Sequence, residues 1–354
     1  MSSIPDLIRD NKLETSFDGK FTIHHYDDSD DEERSRSNQR SEYWEEGEPL
    51  ARGGFGEVLL QRCVKGKRTH ELRAVKKITR SISQANQFDY VSELETIAKF
   101  SHRRYSKCFV KLLGWYDTDD HLFIAMEYFP LGDLQQHMSK TGPMAEAGVC
   151  VIIYQVLEGL HYMHREGFAH RDIKPGNVLI KSQPPQRDWW VKLSDFGISK
   201  RIPGLTEMLS TVKGTPQYMA PELGTYERGS AIQVDHRAGD MWSLGEMAHR
   251  MLTATATFSS HATLFRYMIW PDSLPFQELA KHGSSGDVES FIRALMRPTP
   301  EHRLTSDKAL EHAWIQPCSP LEWASLHQEH PHQRMRYSLF FFVSPSSSRL
   351  DRLI

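Results

Sequence analysis

Long apolar runs are missing from this sequence: no stretch approaches the roughly 18 to 20 consecutive apolar residues a membrane-spanning helix requires. The N-terminus also lacks a basic segment leading into an apolar one, and Ser2 rather than glycine follows Met1, so neither a secretory leader nor myristoylation is expected. Cysteine is scarce. Cys63, Cys108, Cys150 and Cys318 are scattered without metal-ligand spacing and read as ordinary thiols in a reducing compartment. Charge of either sign is not in excess: 43 Lys and Arg against 46 Asp and Glu leave a formal net charge of -3, which provides no global basic field for nucleic acid or an anionic membrane. No internal repeat is evident. These absences point to an intracellular protein, cytoplasmic or nuclear, and leave its oligomeric state open.

What is present supports a sizeable core. The chain has 354 residues, 39% hydrophobic and 25% charged, enough for two or three average domains or for one two-lobed enzyme with tails. Its densest chemistry lies in His170-Arg171-Asp172-Ile173-Lys174-Pro175-Gly176-Asn177, which sets a carboxylate, an ammonium and a carboxamide on one irregular turn before the apolar Val178-Leu179-Ile180. Phosphoryl transfer needs those groups: a base for the incoming hydroxyl, a cation for the moving phosphoryl group, and an oxygen ligand for Mg²⁺. Asp172, Lys174 and Asn177 fit those roles in that order.

The stretch resembles the catalytic loop of eukaryotic protein kinases, and further matches follow in the family's order. Leu50-Ala51-Arg52-Gly53-Gly54-Phe55-Gly56-Glu57-Val58 resembles the hairpin that covers the nucleotide phosphates, with Ala51 where the family has its first glycine. Leu72-Arg73-Ala74-Val75-Lys76-Lys77-Ile78 alternates like a half-buried strand; an inward Lys76 requires an anionic partner, while Lys77 points outward by the two-residue period. The resemblance makes Lys76 the lysine that binds the α- and β-phosphates and Glu93, on the helix near Ser92–His102, its ion-pair partner; Glu95 is the rival. Met126 would guard the back of the adenine pocket, and Glu127 to Leu131 would form the hinge. Nucleotide contacts are thereby expected from Leu50, Gly53, Gly54, Phe55, Gly56, Val58, Ala74, Lys76, Met126, Glu127, Phe129, Asp133, Leu179 and Asp195.

Asp195-Phe196-Gly197 resembles the family's Mg²⁺-binding motif, so Asn177 and Asp195 would hold the metal. Gly214 to Glu222 resembles the end of an activation segment, and Thr215 with Lys174 matches the serine/threonine type. Arg171 is a cation in need of an anion, which a phosphate on Thr211 would supply, added by an upstream kinase or by the chain itself; Ser210 is the runner-up. Asp240 is expected either to bond the backbone of the catalytic loop or to cap its helix, and Arg303 to pair with Glu222.

The resulting expectation is an α+β, two-lobed protein kinase fold, with a small, mainly antiparallel β lobe carrying one key helix (43–126), a hinge (127–131) and a larger, mainly α lobe (132–316). A disordered acidic tail (1–42) precedes it, and a C-terminal tail (317–354) with a histidine cluster (327–332) and the apolar stretch Leu339 to Val343 follows. The implied reaction is ATP- and Mg-dependent phosphorylation of serine or threonine in protein substrates. The competing readings are a kinase-like scaffold without catalysis, which would normally lack Lys76, Asp172 or Asp195, and a small-molecule kinase, which would lack Gly214 to Glu222. Asp133 fits either a basic residue upstream of the target or the nucleotide ribose. Gly176, where arginine-directed relatives often have glutamate, argues against a basic consensus.

Overall fold

The computed structural model describes residues 6–26, 40–53, 56–80, 90–195, 200–201, 215–224 and 235–318. Strands β1 (Glu14–Asp18), β2 (Phe21–Tyr26), β3 (Arg40–Gly53), β4 (Gly56–Lys65), β5 (Leu72–Thr79), β6 (Leu112–Asp117) and β7 (His121–Glu127) form one antiparallel sheet in the order β1-β2-β3-β4-β5-β7-β6. Alternation along β5 separates its two faces. Val75 packs with Tyr116, Phe123 and Ala125, while Ala74 and Lys76 point to the other side. Lys77 reaches Glu57 at 3.5 Å on the outward side, as its register requires.

Residues 6–26 do not form the disordered tail that their polarity suggests. They build helix α1 (Asp6–Arg9) and the strands β1 and β2, and a parallel bridge from Lys12 to Trp115 ties the chain ahead of β1 to β6 at the far edge of the sheet. The composition argument fails because it counts only the apolar surface a segment could bury against itself. Here Ile8 and Ile23 bury against a sheet that already exists, and the Phe17 ring lies 6.1 Å from those of Tyr116 and Phe123. Of the rest of the expected tail, residues 40–42 open β3, and residues 1–5 and 27–39 lie outside the described residues.

Within this lobe sits an unexpected polar core. The fully buried Arg73 donates to Gln61 Oε1 from Nε (2.9 Å) and Nη2 (2.6 Å) and stacks 3.9 Å above the Trp44 ring, so its charge is solvated by an amide and a π-face in place of water. His24 bonds Thr15 through Nδ1 at 2.8 Å, and burial, then the nearby Arg73 charge, pull its pKa down to about 2. Helix α2 (Tyr90–Phe100) packs Leu94, Ile97, Ala98 and Phe100 into the main apolar core.

After β7 the chain becomes helical: α3 (Leu134–Thr141), α4 (Glu146–Arg165), α5 (Pro221–Gly224), α6 (His236–Thr253), α7 (His261–Ile269), α8 (Gln277–Lys281), α9 (Gly286–Leu295) and α10 (Ser306–Leu310). The pairs β8 (Phe168–Ala169) with β11 (Lys200–Arg201) and β9 (Val178–Ser182) with β10 (Trp190–Leu193) frame the turn at Asp172. Helix α4 is buried along Ile152, Ile153, Val156, Leu157, Leu160 and Met163, as its apolar spacing predicts, and delivers the chain to that turn. None of the described helices is long and apolar enough to cross a membrane. One expectation about the cysteines is corrected: Cys150 in α4 is joined to Cys318 by a disulfide, across a sequence separation of 168 that no local spacing rule could detect, while Cys63 and Cys108 are free and buried.

Candidate active site

The turn after β8 is held from below. Asp240, inside α6 and 1% exposed, accepts the backbone N–H of His170 (Oδ2, 2.8 Å) and of Arg171 (Oδ1, 2.7 Å), and its Oδ2 also bonds His164 Nε2 at 2.9 Å. Burial would raise this carboxyl, but the His164 contacts and the backbone donors overcome it and hold the pKa below the ordinary value. Asp235, not Asp240, is the N-cap of α6, which removes capping as an alternative role for Asp240. His164 was not singled out by its sequence context; it looks like any polar residue near a helix end.

On this base Asp172 is fixed on both oxygens. Oδ1 accepts the Thr215 N–H (3.0 Å) and hydroxyl (2.8 Å), and Oδ2 accepts Lys174 Nζ (2.6 Å) and Asn177 Nδ2 (3.0 Å). Lys174 Nζ also donates to Thr215 Oγ1 at 2.7 Å, and Asn177 Nδ2 to the Asp172 carbonyl at 2.8 Å. The amide nitrogen of Asn177 is thus committed to Asp172, and its carbonyl oxygen takes no part in these bonds. Lys174 and Asn177 from the same turn and Thr215, 43 residues after Asp172, converge on one carboxylate.

Across from it, Lys76 Nζ lies 2.6 Å from Glu93 Oε1 and 2.8 Å from Asp195 Oδ1. Burial alone would depress the Lys76 ammonium; the Asp195 and Glu93 charges outweigh it and raise its pKa. Lys76 in turn lowers Asp195 to about 2. Glu93 behaves oppositely, because burial raises it and the lysine whose charge opposes that is shared with Asp195. The rival Glu95 is not part of this cluster.

The remaining expected nucleotide contacts fall as follows. Gly53 faces Gly56 at the tip of the β3–β4 hairpin, and Ala51 faces Val58, while Leu50 is 39% exposed. Gly56 cannot carry a side chain: its φ is +150° and a Cβ would stand 1.9 Å from the Lys77 carbonyl oxygen. Ala74 is buried opposite Met126 in the β5–β7 ladder. Leu179 bridges Asp133, whose carboxylate caps α3 by accepting the Gln136 N–H at 2.8 Å. Gly54, Phe55, Phe196, Gly197, Ser210 and Thr211 lie outside the described residues.

At Glu127, the first residue of the expected hinge, the side chain is engaged by two lysines. Glu127 accepts Lys181 Nζ (2.6 Å) and the nearly buried Lys192 Nζ (2.8 Å), and both ammonium groups lie within 6.0 Å of the Phe129 ring centre. Sequence reasoning missed these lysines, although the argument used for Lys76 applies equally to Lys192 in β10: an inward lysine on a strand needs an anion. Farther down, Arg303 donates to both Glu222 oxygens at 2.6 and 2.7 Å, the fork expected from the sequence.

Comparison with known proteins agrees with this geometry. The protein kinase domain family matches residues 44–315. A probable myosin light chain kinase of Dictyostelium discoideum is 31% identical over 275 residues, covering 76% of this chain and 73% of the relative. Serine/threonine-protein kinase cds1 of Schizosaccharomyces pombe is 29% identical over 317 residues, covering 88% and 66%. A crystal structure of Rad53 residues 1–466 in complex with AMP-PNP aligns with a TM-score of 0.59 at 29% identity, covering 76% of this chain and 64% of that one. The chain belongs to the protein kinase family, of the serine/threonine type, and has its two-lobed fold.

Proposed function

We propose that this kinase transfers the γ-phosphoryl group of ATP to serine or threonine hydroxyls of protein substrates, with Asp172 accepting the hydroxyl proton and Lys174 neutralising charge on the moving group. The observation that carries the reading is the fourfold bonding of Asp172. Thr215 and Asn177 fix where its oxygens point, and Lys174 stands 2.6 Å from one of them. Lys76, held by Glu93, orients the α- and β-phosphates, and hinge backbone at Glu127 and Phe129 meets the adenine edge above Leu179.

Asn177 and Asp195 supply oxygen ligands suited to Mg²⁺, and among the described residues no group of three or more His, Cys, Asp or Glu could hold a metal alone. The donor set therefore fits a cation that completes its coordination with phosphate oxygens and water, and when bound it would neutralise phosphate charge. The Asn177 amide is already turned for this by its bonds to Asp172.

Arg171 supports regulation by a phosphate. Its Nε is buried with no hydrogen-bond partner among the described residues, and burial, only partly offset by Asp240, lowers its pKa, so an added anion would be stabilising. Phosphorylation of Thr211 would provide that anion. In an assay with γ-labelled ATP and a generic protein substrate, Asp172→Asn lowers kcat by about 10²–10⁴-fold, the range for loss of a general base. Label that persists on protein in this variant would overturn the assignment. Thr211→Ala is expected to lower kcat severalfold while the Asp172 site stays intact; unchanged activity would remove the regulatory part alone.

A further inference from the structure

The family match begins at residue 44, yet α1 at Asp6 is the first described element of the chain. We propose that residues 6–26 are an intramolecular clasp that holds helix α2, and with it Glu93, within reach of Lys76, and that Ile8 is its positioning residue. The inference rests on the role given to Glu93 above and goes beyond it, because the residues concerned touch neither nucleotide nor substrate.

The clasp is sewn to β6. The Trp115 indole N–H donates to the Ile8 carbonyl (2.7 Å), the Trp115 backbone N–H to Asn11 (3.0 Å), and the Leu13 N–H back to the Trp115 carbonyl (2.8 Å). Lys12 lies 4.9 Å over the Trp115 ring and pairs with Asp117 at 2.9 Å. Strand β6 is shaped for this contact: a Cβ on Gly114, whose φ is +134°, would come 2.6 Å from the Leu13 side chain.

From that anchored position Ile8, 1% exposed, enters the same buried cluster as Leu94, Ile97 and Ala98 of α2. Among the described residues, the ion pairs of α2 lie at its two ends: Lys99 meets Glu166 at 2.8 Å at the C-terminal end, and Glu93 stands at the active-site end. Glu93 Oε1 meets Lys76 at 2.6 Å, while its Oε2 is buried with no partner among the described residues. A single ion pair on a helix does not set the helix's distance from the sheet; the apolar backing does, and part of that backing is Ile8. At the other end β1 and β2 extend the sheet from β3, so the segment is bound to both margins of the lobe and cannot detach by fraying at one point.

The test uses the full chain carrying Ile8→Asp, with Ile8→Val as the conservative control and Arg9→Ala, at a side chain 68% exposed on the same helix, as the surface control. Amide hydrogen exchange is followed in α2 and in the distant α4, and kcat is referred to folded protein. Ile8→Asp is expected to lower kcat at least tenfold and speed exchange in α2 at least tenfold, leaving α4 unchanged, while both controls stay within twofold of wild type. In a Glu93→Gln background, Ile8→Asp should cost less than a further twofold, since the group it positions is already gone. A purely structural residue would instead lower the folded fraction and leave kcat of the remainder unchanged. Retained kcat in folded Ile8→Asp, unaltered α2 exchange, or full additivity with Glu93→Gln would each overturn the proposal. Should Ile8→Asp not fold, Ile8→Ala takes its place with threefold thresholds. Absence of protein phosphorylation by the wild type would sink the functional reading alone, because the exchange comparison still judges the clasp.

Discussion

The two halves of this active site are built in different ways. Around Asp172 every element is over-determined: Asp240 grips the turn by two backbone N–H groups, and four donors from Thr215, Lys174 and Asn177 meet the carboxylate. Around Glu93 the opposite holds, with one contact to Lys76 and a second buried oxygen left without a partner among the described residues. A buried carboxylate oxygen that forgoes its hydrogen bond costs free energy, and helix α2 tolerates the cost because packing holds it in place. On the function proposed above, the base sits on the rigid half, and Glu93 sits on a helix held by apolar contact along its body and by the Lys99–Glu166 ion pair at its far end.

Removing the support of the rigid half should have the largest effect. Asp240→Ala strands the N–H groups of His170 and Arg171 in a buried setting, and losing one partner of a buried, charge-assisted cluster costs roughly 3–5 kcal/mol. The turn then moves, and displacement of about 1 Å at a reacting group lowers turnover roughly 10²-fold. Thermal unfolding and kcat measured together are expected to fall in Asp240→Ala; a variant that loses stability but keeps kcat would show that the turn does not depend on α6. Asp240→Asn retains an acceptor oxygen and should fall between wild type and Asp240→Ala.

The same contrast governs what could be read in advance. The rigid half was legible because its side chains sit in short, ordered motifs: Asp172, Lys174 and Asn177 share one turn, and the Glu222–Arg303 fork and the Asp240 anchor each occur in a distinctive local run. The Lys76–Glu93 pair was also legible, since an inward lysine on a strand demands an anion and the resemblance to the kinase family points to Glu93 on the following helix ahead of Glu95. What stayed hidden depends on partners remote in sequence. Residues 6–26 look too polar to fold because the surface they bury belongs to β6 and α2, the Cys150–Cys318 bridge joins points that share no motif, and Lys192 looks like any strand lysine until Glu127 is placed beside it. The buried Arg73–Gln61 pair and the neighbouring His24 were missed for the same reason, since Gln61 and Trp44, which receive the Arg73 charge, and Thr15, which bonds His24, lie on other strands.

A smaller effect, one of pH, sharpens the comparison further, because Asp240 beneath the turn and Glu93 on α2 answer acid with opposite signs. Asp240 and Asp195 have depressed pKa values in the fold, so the stability they contribute is present above their unfolded values and is lost as pH falls toward the folded ones. Glu93 is raised, so the fold favours its protonated form; the stability from that preference is present below the unfolded value and is lost as pH rises through the folded one. Acid therefore neutralises Glu93 before it threatens the anchors of the Asp172 turn, releasing the Lys76 contact in a protein that remains folded. The expected result is an acid limb in kcat/KM that lies above the ordinary glutamate range, at a pH where circular dichroism still reports the native state. Glu93→Gln should lower the plateau about tenfold or more and abolish that limb, since the group that titrates has been replaced by a neutral one. An acid limb that persists unchanged in Glu93→Gln, or that coincides with unfolding, would mean that both halves are equally fixed and that the asymmetry seen in their hydrogen bonding has no functional counterpart.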